Sequence, residues 1–269
     1  MTLDKYLETA RDLASAAGAL LLEGLNQQKV VDTKSSAVDW VTQFDKQAED
    51  LIVQGLLDTY PDHGIIGEEG TNHTGAADYK WFVDPLDGTN NYAHGLPIFS
   101  VSIALYQGER PLIGVIFDPS RDECFFAVRG EGAYLSSSLG ERRLAVTKTS
   151  ELVSSLLASG FPYDRQTNLQ NNMAEVGAFL REAQGIRRAG SAALDMAYVA
   201  SGRFDGYWEY RLYAWDMAAA RICVEEAGGK VTKIDGSPIQ MDTQQSLIVS
   251  NGHIHDLMLE VIRQVSVGR

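Results

Sequence analysis

Trp81-Phe82-Val83-Asp84-Pro85-Leu86-Asp87-Gly88-Thr89-Asn90-Asn91-Tyr92 is the stretch on which the reading of this chain turns. An apolar strand ends in two aspartates three apart, and a Gly-Thr pair that opens a helix follows at once. Proline at 85 fixes the turn and keeps Asp84 extended, so Asp84, the Leu86 carbonyl and Asp87 can converge on one point. Divalent cations such as Mg²⁺ take carboxylate and carbonyl oxygens, and phosphate oxygens take N–H donors at a helix start. One short segment can therefore carry both halves of a metal–phosphate site. The plain alternative is a surface turn rich in Asp, Pro, Gly and Asn. The apolar strand before it and the helix start after it favour the site.

Upstream, Leu3, Leu7, Ala10, Ala14, Ala17 and Leu21 recur at helical spacing with charged residues on the other face. A polar, mobile loop over 31–39, with Lys34 in it, is by default an exposed connection. A second helix carries Phe44, Ala48, Leu51, Ile52 and Leu56 on one face and stops before Pro61. Asp45 sits in its first turn, where the helix dipole favours a negative charge. Ile65-Ile66 leads into Gly67-Glu68-Glu69-Gly70. Paired acids are usually a solvated face, but this pair stands where a strand end can present a ligand.

Downstream, Phe99, Val101, Ile103 and Leu105 alternate with Ser100, Ser102 and Ala104, which predicts a half-buried strand. Further strands are expected over 112–117 and 124–128. From about residue 145 strands and helices alternate: strands at 156–159, 230–234 and 246–250, helices at 168–183, 191–200, 214–227 and from His255. The chain divides into 1–145, an α+β half with most of the acids, and 146–269, an α/β half with Asp216, packed as one functional unit. Trp215-Asp216 at the start of an Ala-rich helix has an ordinary reading as an N-cap aspartate. It gains weight only from the other acids.

Lys plus Arg number 23 against 36 Asp plus Glu, a formal net charge of −13. That balance argues against a nucleic-acid surface, and an anionic substrate then needs a divalent cation as a bridge. Cys124 and Cys223 read as buried apolar residues in a reducing compartment, with one disulfide left open. No apolar run approaches the roughly 18–20 residues of a membrane span, and Met1–Lys5 opens no basic-then-apolar leader. The expectation is a cytoplasmic protein without a membrane partner. Spacing excludes a P-loop, an HExxH zinc helix, a GxSxG elbow and a dinucleotide fingerprint.

Glu68-Glu69, Asp84-Pro85-Leu86-Asp87-Gly88-Thr89, and Trp215-Asp216 with its helix resemble the three signatures of the inositol monophosphatase family. The resemblance runs from Lys34 to Gly229. It implies a sandwich of alternating helix and sheet layers, like inositol monophosphatase and fructose-1,6-bisphosphatase. It also implies a Mg²⁺-dependent, Li⁺-inhibited phosphomonoesterase, and a homodimer. By resemblance, Glu68, Asp84 and the Leu86 carbonyl hold a first Mg²⁺, Asp84, Asp87 and Asp216 hold a second, and Glu68 helps a third through water. Asp45 and Thr89 bond each other and orient the attacking water, while the Gly88 and Thr89 N–H groups bind phosphate. Glu209 matches the position that bonds inositol hydroxyls, and Gly190, Ser191 and Ala192 match the loop on the sugar-alcohol side, with Asp87 and Asp216 also facing substrate.

The expected reaction is hydrolysis of inositol-1-phosphate. Fructose-1,6-bisphosphate and histidinol phosphate are alternatives within the family. A 3′-phosphonucleotide is disfavoured, because Asn90-Asn91-Tyr92 stands where the nucleotidase branch tends to have Lys-Glu. A partner-binding regulatory protein that keeps the fold is the alternative of another class. Arg211, where relatives often have a small or apolar residue, and Arg187-Arg188 are either salt-bridge partners on an acidic protein or contacts for a second phosphate.

Overall fold

The structure is a computed structural model and describes residues 2–241 and 244–267. Helix α1 (Leu3–Leu25) buries Tyr6, Ala10, Ala14, Ala17 and Leu21 along one stripe. The expected loop after it is a small hairpin instead, β1 (Val31–Thr33) antiparallel to β2 (Trp40–Thr42). Helix α2 (Gln43–Thr59) opens on a capping box between Thr42 and Asp45.

Next come β3 (Gly64–Gly67), β4 (Asn72–His73), β5 (Tyr79–Asp87), α3 (Thr89–Ala93) and β6 (Ser100–Gln107), then β7 (Arg110–Asp118), β8 (Glu123–Val128), β9 (Gly132–Ser137) and β10 (Gly140–Arg143). These strands form one sheet in the order β10-β9-β8-β7-β6-β5-β3-β4. Only β3 and β5 pair in parallel. The chain continues through β11 (Leu156–Ser159), α4 (Met173–Glu182), β12 (Gly185–Arg187), α5 (Ala192–Ala200), β13 (Gly206–Leu212), α6 (Ala214–Glu226), β14 (Lys230–Lys233), β15 (Gln245–Ser250) and α7 (His255–Val267). The second sheet runs β12-β11-β13-β15-β14.

Period-2 alternation sorts the side chains into layers. Trp81, Val83, Ile103 and Leu105 pack with α1 and α2, whereas Phe82, Ala104 and Tyr106 pack with α5 and α6. In the second sheet Tyr207, Leu247 and Val249 face α5 and α6, while Trp208 and Ile248 face Phe179 of α4 and Met258 and Ile262 of α7. The stacking is helix, sheet, helix, sheet, helix, the α/β layered sandwich that the motifs implied. Small residues let the middle layer approach closely: a Cβ on Gly114 of β7 would come 2.6 Å from the Ala219 carbonyl of α6.

Three further expectations are corrected. Strand β6 is buried on both faces rather than half-buried, because its small residues meet α6 and not water; the Ser102 hydroxyl donates to the Trp215 carbonyl at 3.3 Å. The helix expected from 168 starts at Met173. Asn168 and Asn171 side chains accept from Gln170 N and Met173 N, which gives the backbone a turn in place of helix, and Asn172 is left-handed at φ 70°. Cys124 is only half-buried, and both cysteines are free. Among the described residues no helix is long and apolar enough to cross a membrane.

Candidate active site

Strand β5 runs on through Pro85 to Asp87. It does so by a bulge: Asp84 lies opposite Ser102 and Asp87 opposite Ser100, so β5 carries one residue more than β6. A bulge tolerates a proline that has no N–H to give, and it re-aims the side chains around it. The Asp84 Oδ1 accepts from Leu86 N at 3.0 Å. Gly88 follows with φ 101°, where an added Cβ would sit 3.0 Å from the Ile98 carbonyl, so the turn into α3 requires glycine.

Asp45 reaches this turn from α2. Its Oδ2 accepts from Thr42 N at 2.8 Å and Thr42 Oγ1 at 2.6 Å, and its Oδ1 accepts from Thr89 Oγ1 at 2.9 Å. Thr89 Oγ1 also stands 3.1 Å from the Leu86 carbonyl. Glu68 follows β3, its N–H donating to Val83 O at 3.1 Å. Lys34 is not an idle loop residue: its Nζ donates to Glu68 Oε1 at 2.8 Å and also pairs with Glu69.

Asp87 ties the first sheet to the middle helix layer. It accepts from Ser191 Oγ at 2.5 Å, Ala192 N at 3.1 Å and Ala193 N at 2.7 Å, all at the start of α5. Asp216 is not the N-cap of α6. Tyr213 is, and Asp216 in the first turn accepts from Tyr213 N at 2.7 Å. Glu209 projects from β13 and takes the hydroxyl of Tyr207. Gly160 is what leaves it room, since a Cβ there would overlap its carboxylate.

One cavity of about 810 Å³ collects these groups. Lys34, Glu68, Asp84, Leu86, Asp87, Gly88, Thr89, Arg188, Gly190, Ser191, Ala192, Glu209, Arg211 and Asp216 all line it. Asp45 does not; it touches the cavity through Thr89. Arg188 lies 5.8 Å from the ring centre of Phe161, and Arg211, left-handed at φ 62°, pairs with Asp164. The sequence reading missed Tyr207 and Asp195, both of which line the cavity. Asp195 is buried, and among the described residues its Oδ1 has no hydrogen-bond partner.

The carboxylates strain against one another. Burial, then the charges of Glu68, Asp87 and Asp216, push the Asp84 carboxyl well above the usual range. Burial and then Glu68 and Asp87 do the same to Asp216. Burial raises Asp87 to about 6 against the opposing bonds from Ser191, Ala193 and Ala192, and raises Glu209 to about 7 against Tyr207 and Arg188. Among the described residues, no three such side chains already close on one point as an ion cage. The donor chemistry nevertheless suits a hard cation: buried oxygens of like charge lining one space gain most from a positive ion between them.

Residues 2–266 match the sequence pattern of the Inositol monophosphatase family. The chain belongs to the inositol monophosphatase family. It is thereby a member of a family of phosphoric monoester hydrolases. It is 40% identical over 262 residues to an inositol-1-monophosphatase of Synechocystis sp., covering 97% of this chain and 89% of that one. It is 44% identical over 237 residues to the Nus factor SuhB of Pseudomonas aeruginosa, covering 86% of each. The solved inositol monophosphatase of Anabaena (Nostoc) sp. PCC 7120 superposes with a TM-score of 0.87 at 41% identity, over 98% of this chain and 97% of that one. The layered inositol monophosphatase fold is thus shared end to end.

Proposed function

We propose that this chain hydrolyses the phosphate monoester of a polyol, inositol-1-phosphate, with Mg²⁺ as cofactor. The observation that carries the reading is that Glu68, the Asp84 and Asp87 pair of β5, and Asp216, from three separate segments, line one cavity with Gly88, Thr89 and Glu209. Glu68, Asp84 and the Leu86 carbonyl would hold one ion, Asp84, Asp87 and Asp216 a second, and Glu68 would assist a third through water. Bound Mg²⁺ supplies positive charge that acidifies water and offsets the charge on a departing oxygen.

The chain's own groups do the rest. Thr89 has a single hydroxyl proton and two acceptors in reach, Asp45 Oδ1 and the Leu86 carbonyl. Asp45 Oδ1 is the nearer of the two, at 2.9 Å against 3.1 Å, and as a carboxylate the stronger acceptor for that proton. Thr89 Oγ1 then takes a proton from water as its own passes to Asp45 Oδ1. Burial raises the Asp45 carboxyl above its ordinary value, which suits it to receive a proton. Backbone N–H groups of Gly88 and Thr89 would take phosphate oxygens. Glu209, steadied by Tyr207, would accept from ring hydroxyls, beside the Gly190–Ala192 turn.

The reading brings with it inhibition by Li⁺, a homodimer, a cytoplasmic setting, and the halves 1–145 and 146–269 working as one unit. The net charge of −13 supports the absence of a nucleic-acid surface. Phosphate release from inositol-1-phosphate, fructose-1,6-bisphosphate and histidinol phosphate, measured side by side, tests it. Faster release from inositol-1-phosphate is expected; preference for another ester overturns the use made of Glu209. A second reading, a partner-binding role, is favoured by the Nus factor name of the P. aeruginosa relative. No turnover on any ester would put it first.

A further inference from the structure

Glu49 is a buried carboxylate, 3% exposed, that the proposed chemistry does not use. We propose that Glu49 is a positioning residue for Glu68, and that Asp45 and Glu49 make α2 the spacer that sets Glu68 against Thr89. The inference rests on the reading of Glu68 as a cation ligand.

Residues 45 and 49 stand four apart on α2, hence on one face of the helix and about 6 Å apart along its axis. Asp45 grips Thr89, at the end of the β5 turn. Glu49 grips the turn after β3: its Oε2 accepts from Glu69 N at 2.8 Å, and its Oε1 from Thr71 N at 3.1 Å and Thr71 Oγ1 at 2.7 Å. The same turn is closed by Gly67 N donating to Thr71 O at 2.8 Å. Glu68 is therefore held on both sides, by its own N–H on Val83 O and by the bond that Glu49 makes to its neighbour's N–H.

The sequence makes room for this grip. A Cβ on Gly67 would lie 2.6 Å from the Glu49 Cδ, so only glycine lets the carboxylate come so close. A buried carboxylate is unfavourable unless donors satisfy it, and the hydrogen bonds named here all come from the turn beside Glu68. An apolar side chain would fill the same space at less desolvation. The charged acceptor is explained if it aims a ligand.

The test is calorimetric titration of Mn²⁺ into chelator-stripped wild type, Glu49→Gln, Thr71→Val and Thr71→Ser, with thermal melting alongside. Glutamine puts an NH₂ where Glu69 N–H or the Thr71 groups need an acceptor. Groups behind a metal ligand typically set affinity by roughly ten- to a hundred-fold, so about ten-fold weaker Mn²⁺ binding is expected for Glu49→Gln. A smaller loss is expected for Thr71→Val and near wild-type binding for Thr71→Ser. Lower melting temperatures with unchanged Mn²⁺ affinity in Glu49→Gln and Thr71→Val would overturn the inference and leave Glu49 a structural anchor. If Glu49→Gln does not fold, the two Thr71 variants decide. A wild type that binds no Mn²⁺ overturns both this inference and the proposed function; a wild type that binds while its variants match it overturns this inference alone.

Discussion

The Ser191 hydroxyl donates to Asp87 Oδ2 at 2.5 Å, joining the end of β5 to the start of α5 across 104 positions of sequence. With the Ala192 and Ala193 N–H groups it turns Asp87 into an acceptor at a helix start, where negative charge is favoured. The carboxylate that the phosphatase reading needs ionised is thus held from the opposite half of the chain.

Asp87→Asn removes that charge and keeps much of the shape. Loss of an ion ligand is expected to lower kcat by about a thousand-fold or more, several kcal/mol of barrier. The melting temperature should stay within a few degrees, because relief of repulsion by Glu68 offsets a weakened cap. Steady-state kinetics and a thermal melt check it; a near wild-type rate would sink the two-ion assignment.

Thr89→Val replaces a buried hydroxyl by a methyl of the same shape. If Thr89 passes a proton to Asp45, kcat should fall by roughly 10²–10⁴ with KM changed little, and Thr89→Ser should recover most of the rate. Equal losses in the valine and serine variants would point to packing instead of proton transfer.

Stability should depend on pH and cation together. The Asp87 and Glu209 carboxyls are raised to about 6 and about 7, chiefly by burial. The folded chain therefore holds these protons more tightly than the unfolded one. Their contribution is full below about pH 4 and is lost as pH rises through 6 to 7. Chelated protein is expected to melt lower at pH 8 than at pH 5.5. Mg²⁺ at about a hundred times its Kd should restore roughly 5–10 °C at pH 8. An unchanged melt at pH 8 on adding Mg²⁺ would count against the site.

Arg211 pairs with Asp164 at the cavity rim and has φ 62°, a backbone region that costs a non-glycine residue about 1–2 kcal/mol. Arg211→Gly and Arg211→Ala lose the same ion pair, but only glycine relieves the backbone. The glycine variant is expected to be more stable by about 1 kcal/mol in urea unfolding. The same pair of variants weighs the second-phosphate reading of Arg211: an unchanged KM for fructose-1,6-bisphosphate in both would remove it.

The sequence was most legible where ligands and backbone devices are contiguous. Asp84 through Thr89 stands out as a cavity-lining stretch because proline, glycine and two aspartates sit within six positions. Glu68 and Asp216 were legible by company. Strand β13 was not read, because Gly206–Leu212 is buried on both faces and its polarity does not alternate; Tyr207 and its bond to Glu209 went unseen with it. Glu49, Thr42 and the reach of Lys34 to Glu68 were equally hidden. Each acts on a partner distant in sequence or through backbone N–H groups, which carry no residue signature.

In the proposed function Glu68, Asp84, Asp87 and Asp216 act together through a divalent cation on a phosphate ester. The most direct measurement is phosphate release from inositol-1-phosphate against Mg²⁺ concentration, for wild type and Asp216→Asn in parallel. Release is expected to rise from background with Mg²⁺ in the wild type, to be abolished by chelation, and to stay near background in the variant. Release that persists under chelation, or a variant that follows the wild-type curve, would contradict it.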